Sequence, residues 1–560
     1  MEKDILEKEK KKINKLYIFM KILFSTIFSI TIFLDSKLEF IQNIRAKANE
    51  VYFKETTTND ILVLILTWII TYIILTIIGI IVDKLECKFY KNKIIKNKKI
   101  VFWIILAIIL LFWMPYILTY FPGGIFSDTQ VSIKQCLRIN SYDNVNPLAY
   151  TLLIKACLVI GNFFNSSQIG MNIFGIMQIL MMASILSYSV YWLYRKNVSI
   201  VVLAFITLFF SLFKLFPMYA LSIWKDTPFC LALYVYVILI GEIVYKNGKN
   251  LNSIKINILY SIIFIAISFL RNNGFYVVLA TTICILIAYR KNKILKFLIF
   301  SVITSILVFM IKGPLFNLIG INKTTNGGGW NAIKVSQIFY TEVMNGDINQ
   351  EQEELINKMC KIEKLKEVYS PFLLDATTIA PEFNDMFISE HQSEINKLWL
   401  ELLLKNPDLY VKSYLLNTLG YWDVNKVFID AYISDFTWPG TDEIIDFHQM
   451  DIIENITGKS IKDNIRITKL YSSGIFLFIT LASMVFTIKT KNYKRLLMYL
   501  PALFTWGTIM LATPIAFSMR YVYILVLMLP YNFIIPFLKS EDENKKMEKN
   551  IILDKENIDN

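Results

Sequence analysis

Apolar residues in this chain come in long unbroken runs rather than in alternation. Stretches close to the ~20 residues that a helix needs to cross a bilayer recur at about 17–35, 61–82, 100–121, 167–193, 198–216, 226–245, 256–270, 274–289, 294–312, 468–488, 496–513 and 518–538. The pattern predicts an all-α polytopic membrane protein with about twelve transmembrane helices, the 256–270 and 274–289 pair being the shortest. Continuous runs argue against a β-barrel, whose strands alternate. Between them lie two regions large enough to carry function: a loop over 121–166 and a stretch over 313–467 polar enough to fold in water. In the loop, "PLAYTLLIKACLVIGNFF" (147–164) opens on a proline and is interrupted by Lys155, which suits a surface-lying amphipathic helix. In the longer stretch, 350–369 and 391–422 have helical spacing with a break at Pro407, predicting a mainly helical domain.

Composition fits this reading and charge orients it. Of 560 residues, 55% are hydrophobic and only 18% charged, with a mean hydropathy of +0.48; a soluble globule is less apolar. Lysine and arginine sort onto one side of the predicted bundle: "KEKKKINK" at the start, "KFYKNKIIKNKK" (88–99), "YRKN" (194–197), "YKNGK" (245–249), "YRKNK" (289–293), "KTKNYKR" (489–495) and the tail from Lys539. Cytoplasmic loops collect such residues, so both termini are expected in the cytoplasm and 121–166 and 313–467 outside. The net charge of +13 then reflects a collar facing anionic lipid and needs no nucleic-acid partner. The segment before Asp35 has a long charged lead and no small-residue cleavage site, so it reads as a retained anchor.

The expected layout is an N-terminal segment with two helices and a basic loop (1–99), a membrane core (100–312) with its outer loop, the polar helical domain (313–467), C-terminal crossings (468–538) and a tail (539–560). Cysteine adds little. Cys157, Cys230 and Cys284 sit in apolar surroundings, Cys87 is on the cytoplasmic side, and only Cys136 and Cys360 are expected outside and exposed. His391 and His448 are the sole histidines, which excludes a multi-histidine metal site. "NGGGW" (326–330) lacks the strand–glycine–helix setting of a phosphate cradle and reads as a turn.

What remains is a set of ionisable residues at helix ends, where charge beside hydrocarbon is costly and calls for a reason. Asp128 lies in "FPGGIFSDTQ", Lys225 and Asp226 in "ALSIWKDTPF", Arg271, Asn272 and Asn273 in "SFLRNNGFYVV", and Arg520 in "ATPIAFSMRYVY". All four motifs map to the outer face. Each also has a plain reading: snorkelling to headgroups for Lys225 and Arg520, a turn for Arg271–Asn273, a local ion pair for Lys225 and Asp226.

The ordered series "PGGIFSDTQ … NPLAYTLLIK … WKDTPF … LRNNGFYVVL … LWLELLLKNPDLYVKSYLLNTLGYW … ATPIAFSMRYVYILVLMLP", over roughly 100–538, resembles the bacterial membrane family DUF6020. That family in turn is similar to the GT-C superfamily of polyprenyl-phosphate-dependent glycosyltransferases. The resemblance implies a sugar donor carried on polyprenyl phosphate, a cell-surface acceptor, and Asp128 as the acid of an early outer loop. The loop here follows the third crossing instead of the first, and Asn146 precedes Pro147 where related enzymes often have histidine. The chemistry agrees: transfer needs a carboxylate to take the acceptor's proton or to hold a divalent cation such as Mg or Mn, and cations to stabilise the departing phosphate. Asp128 suits the first role; Lys225, Arg271 and Arg520, with Asp226, Asn272 and Asn273 beside them, suit the second. Trp224, Tyr276, Tyr521 and Tyr523 are available for stacking on sugar, although an interfacial aromatic belt accounts for most of them.

Two other classes compete. A transporter or lipid flippase would carry polar groups and broken helices at mid-membrane, whereas Lys214, Glu242 and Lys312 lie near helix ends. A noncatalytic envelope-assembly protein presenting 313–467 would not need Asp128. Within that region "TDEIIDFHQMD" (441–451) offers Asp442, Asp446, His448 and Asp451 as a cation set or, more simply, a solvated acidic face.

Overall fold

The computed structural model describes residues 2–40, 43–85, 98–321, 331–427, 437–467 and 471–544. Cys87, most of the basic loop 88–99, the NGGGW stretch and the tail beyond 544 lie outside them. The chain is mostly helical, with two short β pairings.

Among the described residues, six helices are long and apolar enough to cross a membrane: Lys15–Lys37, Thr58–Lys84, Lys99–Tyr120, Ser167–Arg195, Asp226–Tyr245 and Leu295–Leu318. They mark a membrane protein. The helix over Asp226–Tyr245 is 83% buried and forms the axis of the main core, whereas Thr58–Lys84 is 11% buried and turns its isoleucines and leucines outward. Of the other expected crossings, Ile200–Leu212, Ile254–Leu270, Gly274–Ala288 and Ser473–Lys489 are short helices, and 496–513 holds the helix Leu500–Leu511. At about 1.5 Å per residue, 13 to 17 residues fall short of a ~30 Å hydrocarbon layer. The crossing expected at 294–312 is instead extended to Leu318 through a π turn at Ile311–Leu315, where Pro314 lacks an N–H and pushes the ladder wider.

The segment expected to be a continuous crossing at 518–538 departs most. It is a chain of short turns, Met519–Val522, Ile524–Leu527, Leu529–Asn532 and Ile535–Phe537, punctuated by Pro530 and Pro536. Neighbours satisfy the carbonyls that these breaks release. Ser483 donates to Asn532 O, Arg495 to Pro536 O, and Asn532 Nδ2 donates to Thr480 Oγ1 at 2.9 Å. Nearly every residue from Met519 to Leu529 is buried.

A second, smaller core gathers helices Ala332–Val343, Gln350–Met359, Gln392–Lys405 and Pro407–Asn417 around Val335, Phe339, Tyr369, Leu402 and Tyr410. Two distant stretches complete it. Leu38 and Val51 come from an antiparallel pair, Leu38–Phe40 with Val51–Phe53, that links the first two helices, and Ile44 from the connection between its strands; Ala516 and Phe517 come from just before Arg520. Ser370 Oγ donates to Ile44 O at 2.9 Å, tying the N-terminal segment in. This core is therefore shared between helices of the 313–467 region, the segment that links the first two helices, and the stretch before Arg520. Cys360, expected to be exposed, is buried in this core, while Cys136 is half-buried.

Candidate functional site

A two-residue parallel pairing organises the centre of the site. Gly124 and Ile125 align with Ser222 and Ile223, and Gly124 N–H donates to Leu221 O at 2.9 Å. Gly123 makes that approach possible. Its φ is +127°, and a Cβ there would lie 2.3 Å from Leu221 O, so only glycine fits. The pairing brings together the starts of two helices, Ser127–Cys136 and Asp226–Tyr245, each with an aspartate in its first turn, where the positive end of the helix dipole favours it. Phe126 and Trp224 stack across the pair with centroids 3.9 Å apart, and Thr129 donates to Ile223 O.

Three cations converge on these two acids. Arg520 Nη1 donates to Asp128 Oδ2 at 2.7 Å, and Lys225 Nζ lies 3.6 Å from the same oxygen. Arg271 pairs with Asp226, which is fully buried, and Arg520 Nε stands 3.7 Å from the other Asp226 oxygen. Tyr521 lies between the two guanidiniums, its ring 4.4 Å from Arg271 Cζ and 4.9 Å from Arg520 Cζ; Trp224 backs Arg520 at 4.9 Å. Such stacking suits arginine, whose planar group is weakly hydrated. Arg520 is thus held inside the cluster by Asp128, Trp224 and Tyr521. Burial alone would raise the Asp128 carboxyl, but Lys225 and Arg520 outweigh it and hold the group well below the usual carboxylate range.

Of the residues read from sequence, Asp128, Lys225, Asp226, Arg271 and Arg520 thus meet in one cluster. Asn272 and Asn273 instead tie the adjoining turn down. Asn272 Nδ2 donates to Asn144 O at 2.8 Å and its Oδ1 accepts from Lys312 at 2.7 Å; Asn273 Nδ2 donates to Thr508 at 2.8 Å. Asn146 accepts from Lys225 Nζ at 2.7 Å and so positions that ammonium. Tyr523 stacks on Tyr219 inside the core and Tyr276 is exposed, so neither reaches the cluster as a sugar platform.

Sequence reading missed Asp375. Phe372 O accepts from Ala516 N–H at 2.8 Å, Leu373 pairs with Ile515, and Asp375 N–H donates to Pro514 O at 3.3 Å. These contacts bring the short helix Leu374–Thr378 into the electrostatic field of Asp128, Arg520 and Lys225. Nothing in "FLLDATT" signals this, because the placement is tertiary.

The donor set does not suit a divalent cation. Among the described residues no group of three or more His, Cys, Asp or Glu side chains is placed to hold one, and Asp128 and Asp226 are already engaged by three positive charges. The acidic run 441–451 is not a cation site either. Asp446 pairs with His448 at 3.3 Å, while Asp451 caps the helix Ile452–Thr457. The stretch 438–450 straps over the site loop instead, with Trp438 N–H to Ile125 O at 2.7 Å and Met450 N–H to Phe121 O at 2.6 Å.

No curated protein and no solved structure matches this chain. One family does match, over residues 139–550, so that Lys225, Asp226, Arg271, Asp375 and Arg520 fall within the match and Asp128 precedes it. The chain therefore belongs to DUF6020, a family of unknown function.

Proposed function

We propose that the protein is a membrane glycosyltransferase that moves a sugar from a polyprenyl-phosphate donor to an acceptor at the cell surface, whether glycopolymer, lipid or protein. The observation that carries this reading is the convergence of Lys225, Arg271 and Arg520 from three distant segments on Asp128 and Asp226, where the apolar bundle meets the second core. Three cations stand against the two acids that they pair with directly, so an incoming phosphate gains a partner without leaving either of those acids unpaired. Arginine's fork can hold two phosphate oxygens at once. The lipid tail would lie along the bundle's apolar flank, whose Ile254–Leu270 and Leu295–Met310 helices present exposed isoleucines. As the phosphate leaves, negative charge grows on its oxygens, and preoriented donors of this kind are worth about 2–4 kcal/mol each in the transition state.

On this reading the protein sits in the bacterial plasma membrane with twelve crossings, some of them short or broken, both termini cytoplasmic and 313–467 outside. The sorting of lysine and arginine supports that orientation. Cysteine placed at Ile379, which is 82% exposed, should label in intact cells with an impermeant thiol reagent; cysteine at Lys293 should label only after permeabilisation. The reverse pattern would put the cluster in the cytoplasm. The activity itself is tested with purified, reconstituted protein and synthetic polyprenyl-phosphate hexoses, envelope extract supplying the acceptor. Sugar transfer supports the reading. Donor movement across the vesicle without transfer replaces it with a flippase.

A further inference from the structure

We infer that Asp375 is the group that takes the proton from the attacking acceptor hydroxyl, and that Asp128 serves as the counter-ion that organises the phosphate-binding cations. The assignment rests on the glycosyl-transfer reading and divides its roles between two carboxylates.

Asp128 is poorly suited to accept a proton. A single oxygen, Oδ2, faces both Arg520 at 2.7 Å and Lys225 at 3.6 Å, and a carboxylate so stabilised has little affinity for a proton near neutral pH. Asp226 is fully buried and paired with Arg271, with Arg520 close by, so no acceptor can reach it. Asp375 differs on each count. Among the described residues, no ion pair and no side-chain hydrogen bond engages its carboxylate, and the residue is only partly buried. Yet the bonds from Phe372 to Ala516 and from Asp375 to Pro514 hold its backbone a few residues from Arg520.

The charges that reach it are those of Asp128, Arg520 and Lys225, and it acts in turn on Tyr521. Burial and then the charge of Asp128 push its carboxyl up, while Arg520 and Lys225 pull it partly back. An acid raised in this way is a better base at working pH. Its location also fits. Asp375 belongs to the second core, which would meet a water-borne acceptor, whereas Lys225, Arg271 and Arg520 belong to the bundle that would seat the lipid-borne donor.

The step balances without a further reactant. The acceptor oxygen forms a bond to the anomeric carbon, and the bond from that carbon to the phosphate oxygen breaks. Its electron pair departs on the polyprenyl phosphate held by the three cations. The hydroxyl proton passes to the Asp375 carboxylate and from there to water.

The test is transfer from polyprenyl-phosphate hexoses by reconstituted protein, measured from pH 5 to 9 for wild type, Asp375→Asn, Asp375→Glu and Asp128→Asn. Asp375→Asn is expected to lower kcat by about 10² or more while the donor KM stays within about twofold. Asp375→Glu should keep measurable transfer with its acid limb displaced along the pH axis. Asp128→Asn should raise the donor KM and retain the wild-type acid limb. Near-normal kcat in Asp375→Asn overturns the assignment, as does loss of the acid limb in Asp128→Asn alone. Should Asp375→Asn fail to fold, an unshifted limb in Asp375→Glu overturns it equally. Absence of transfer by the wild type from every donor overturns the glycosyl-transfer reading itself, an outcome distinct from active wild type with an indifferent Asp375.

Discussion

Two acid-containing clusters join the bundle to the second core, and they are opposites in charge. Around Asp128 and Asp226 stand three cations, Lys225, Arg271 and Arg520. At the other junction, Asp35 at the end of the first helix meets Asp423 just after the helix Leu419–Trp422, and among the described residues Lys426 alone balances them. Asp423 is fully buried; its Oδ1 accepts from the N–H groups of Asn425 and Lys426 at 2.7 Å each, and its Oδ2 has no donor unless a proton lies between it and Asp35. Burial, and then Asp35, push the Asp423 carboxyl up to about 7. A surplus of cations makes a place for an anion to arrive. A surplus of acids holds a proton and fastens two parts of the fold. Both are buried polar clusters, and the sign of the imbalance separates a binding site from a joint.

The largest effect should come from removing a buried partner. Asp226→Ala leaves Arg271 without its acid in a closed site, and loss of about 3–5 kcal/mol of stability is expected, read as a fall in the melting temperature of detergent-purified protein. A well-folded, fully stable variant would mean that the cations do not depend on Asp226. Next, Arg520→Ala should lose about 2–4 kcal/mol of transition-state stabilisation in transfer. Arg520→Lys should lose less but still fall below wild type, because a single ammonium cannot grip two oxygens. Equal rates for wild type and Arg520→Lys would reduce Arg520 to a structural ion.

The smallest effect concerns the joint. Because the folded-state value of Asp423 is raised above the ordinary 3.8, its contribution is full below about pH 4 and is lost as pH climbs through about 7. Wild-type thermal stability should therefore decline from pH 5 to pH 8 by on the order of 1–3 kcal/mol. In Asp423→Asn, whose amide resembles the protonated acid, that slope should flatten while transfer persists. An unchanged slope would show that the joint holds no proton, and the contrast between the clusters would collapse.

The long apolar runs told most of the bundle directly, since Thr58–Leu85 and Lys98–Tyr120 need nothing but composition to be helices in lipid. Five of the seven residues singled out from the sequence meet in one cluster, because a charge beside hydrocarbon is expensive and stands out. Asn272 and Asn273 stood next to such a charge and turned out to hold its turn in place. Asp375 was not legible: an aspartate in a polar region costs nothing locally, and only its pairing with 514–516 gives it a place in the cluster. The joining of 38–53 to the second core was hidden for the same reason, being a contact between segments more than 300 residues apart, as between Ile44 and Ser370. Prolines at 530 and 536 showed in the sequence, but hydropathy averages over them and reads one helix where there are four turns.

Those four turns set an order of events during synthesis. A regular helix carries its own hydrogen bonds into lipid, whereas the stretch from Met519 to Phe537 borrows them from Thr480, Ser483 and Arg495. On the proposed reading, in which this stretch also crosses, it leans on the helix Ser473–Lys489 and the turn after it and is expected to settle only once they are in place. Arg520 leads that segment, so the cluster around Asp128, begun by residues made early, is completed only as the final piece docks.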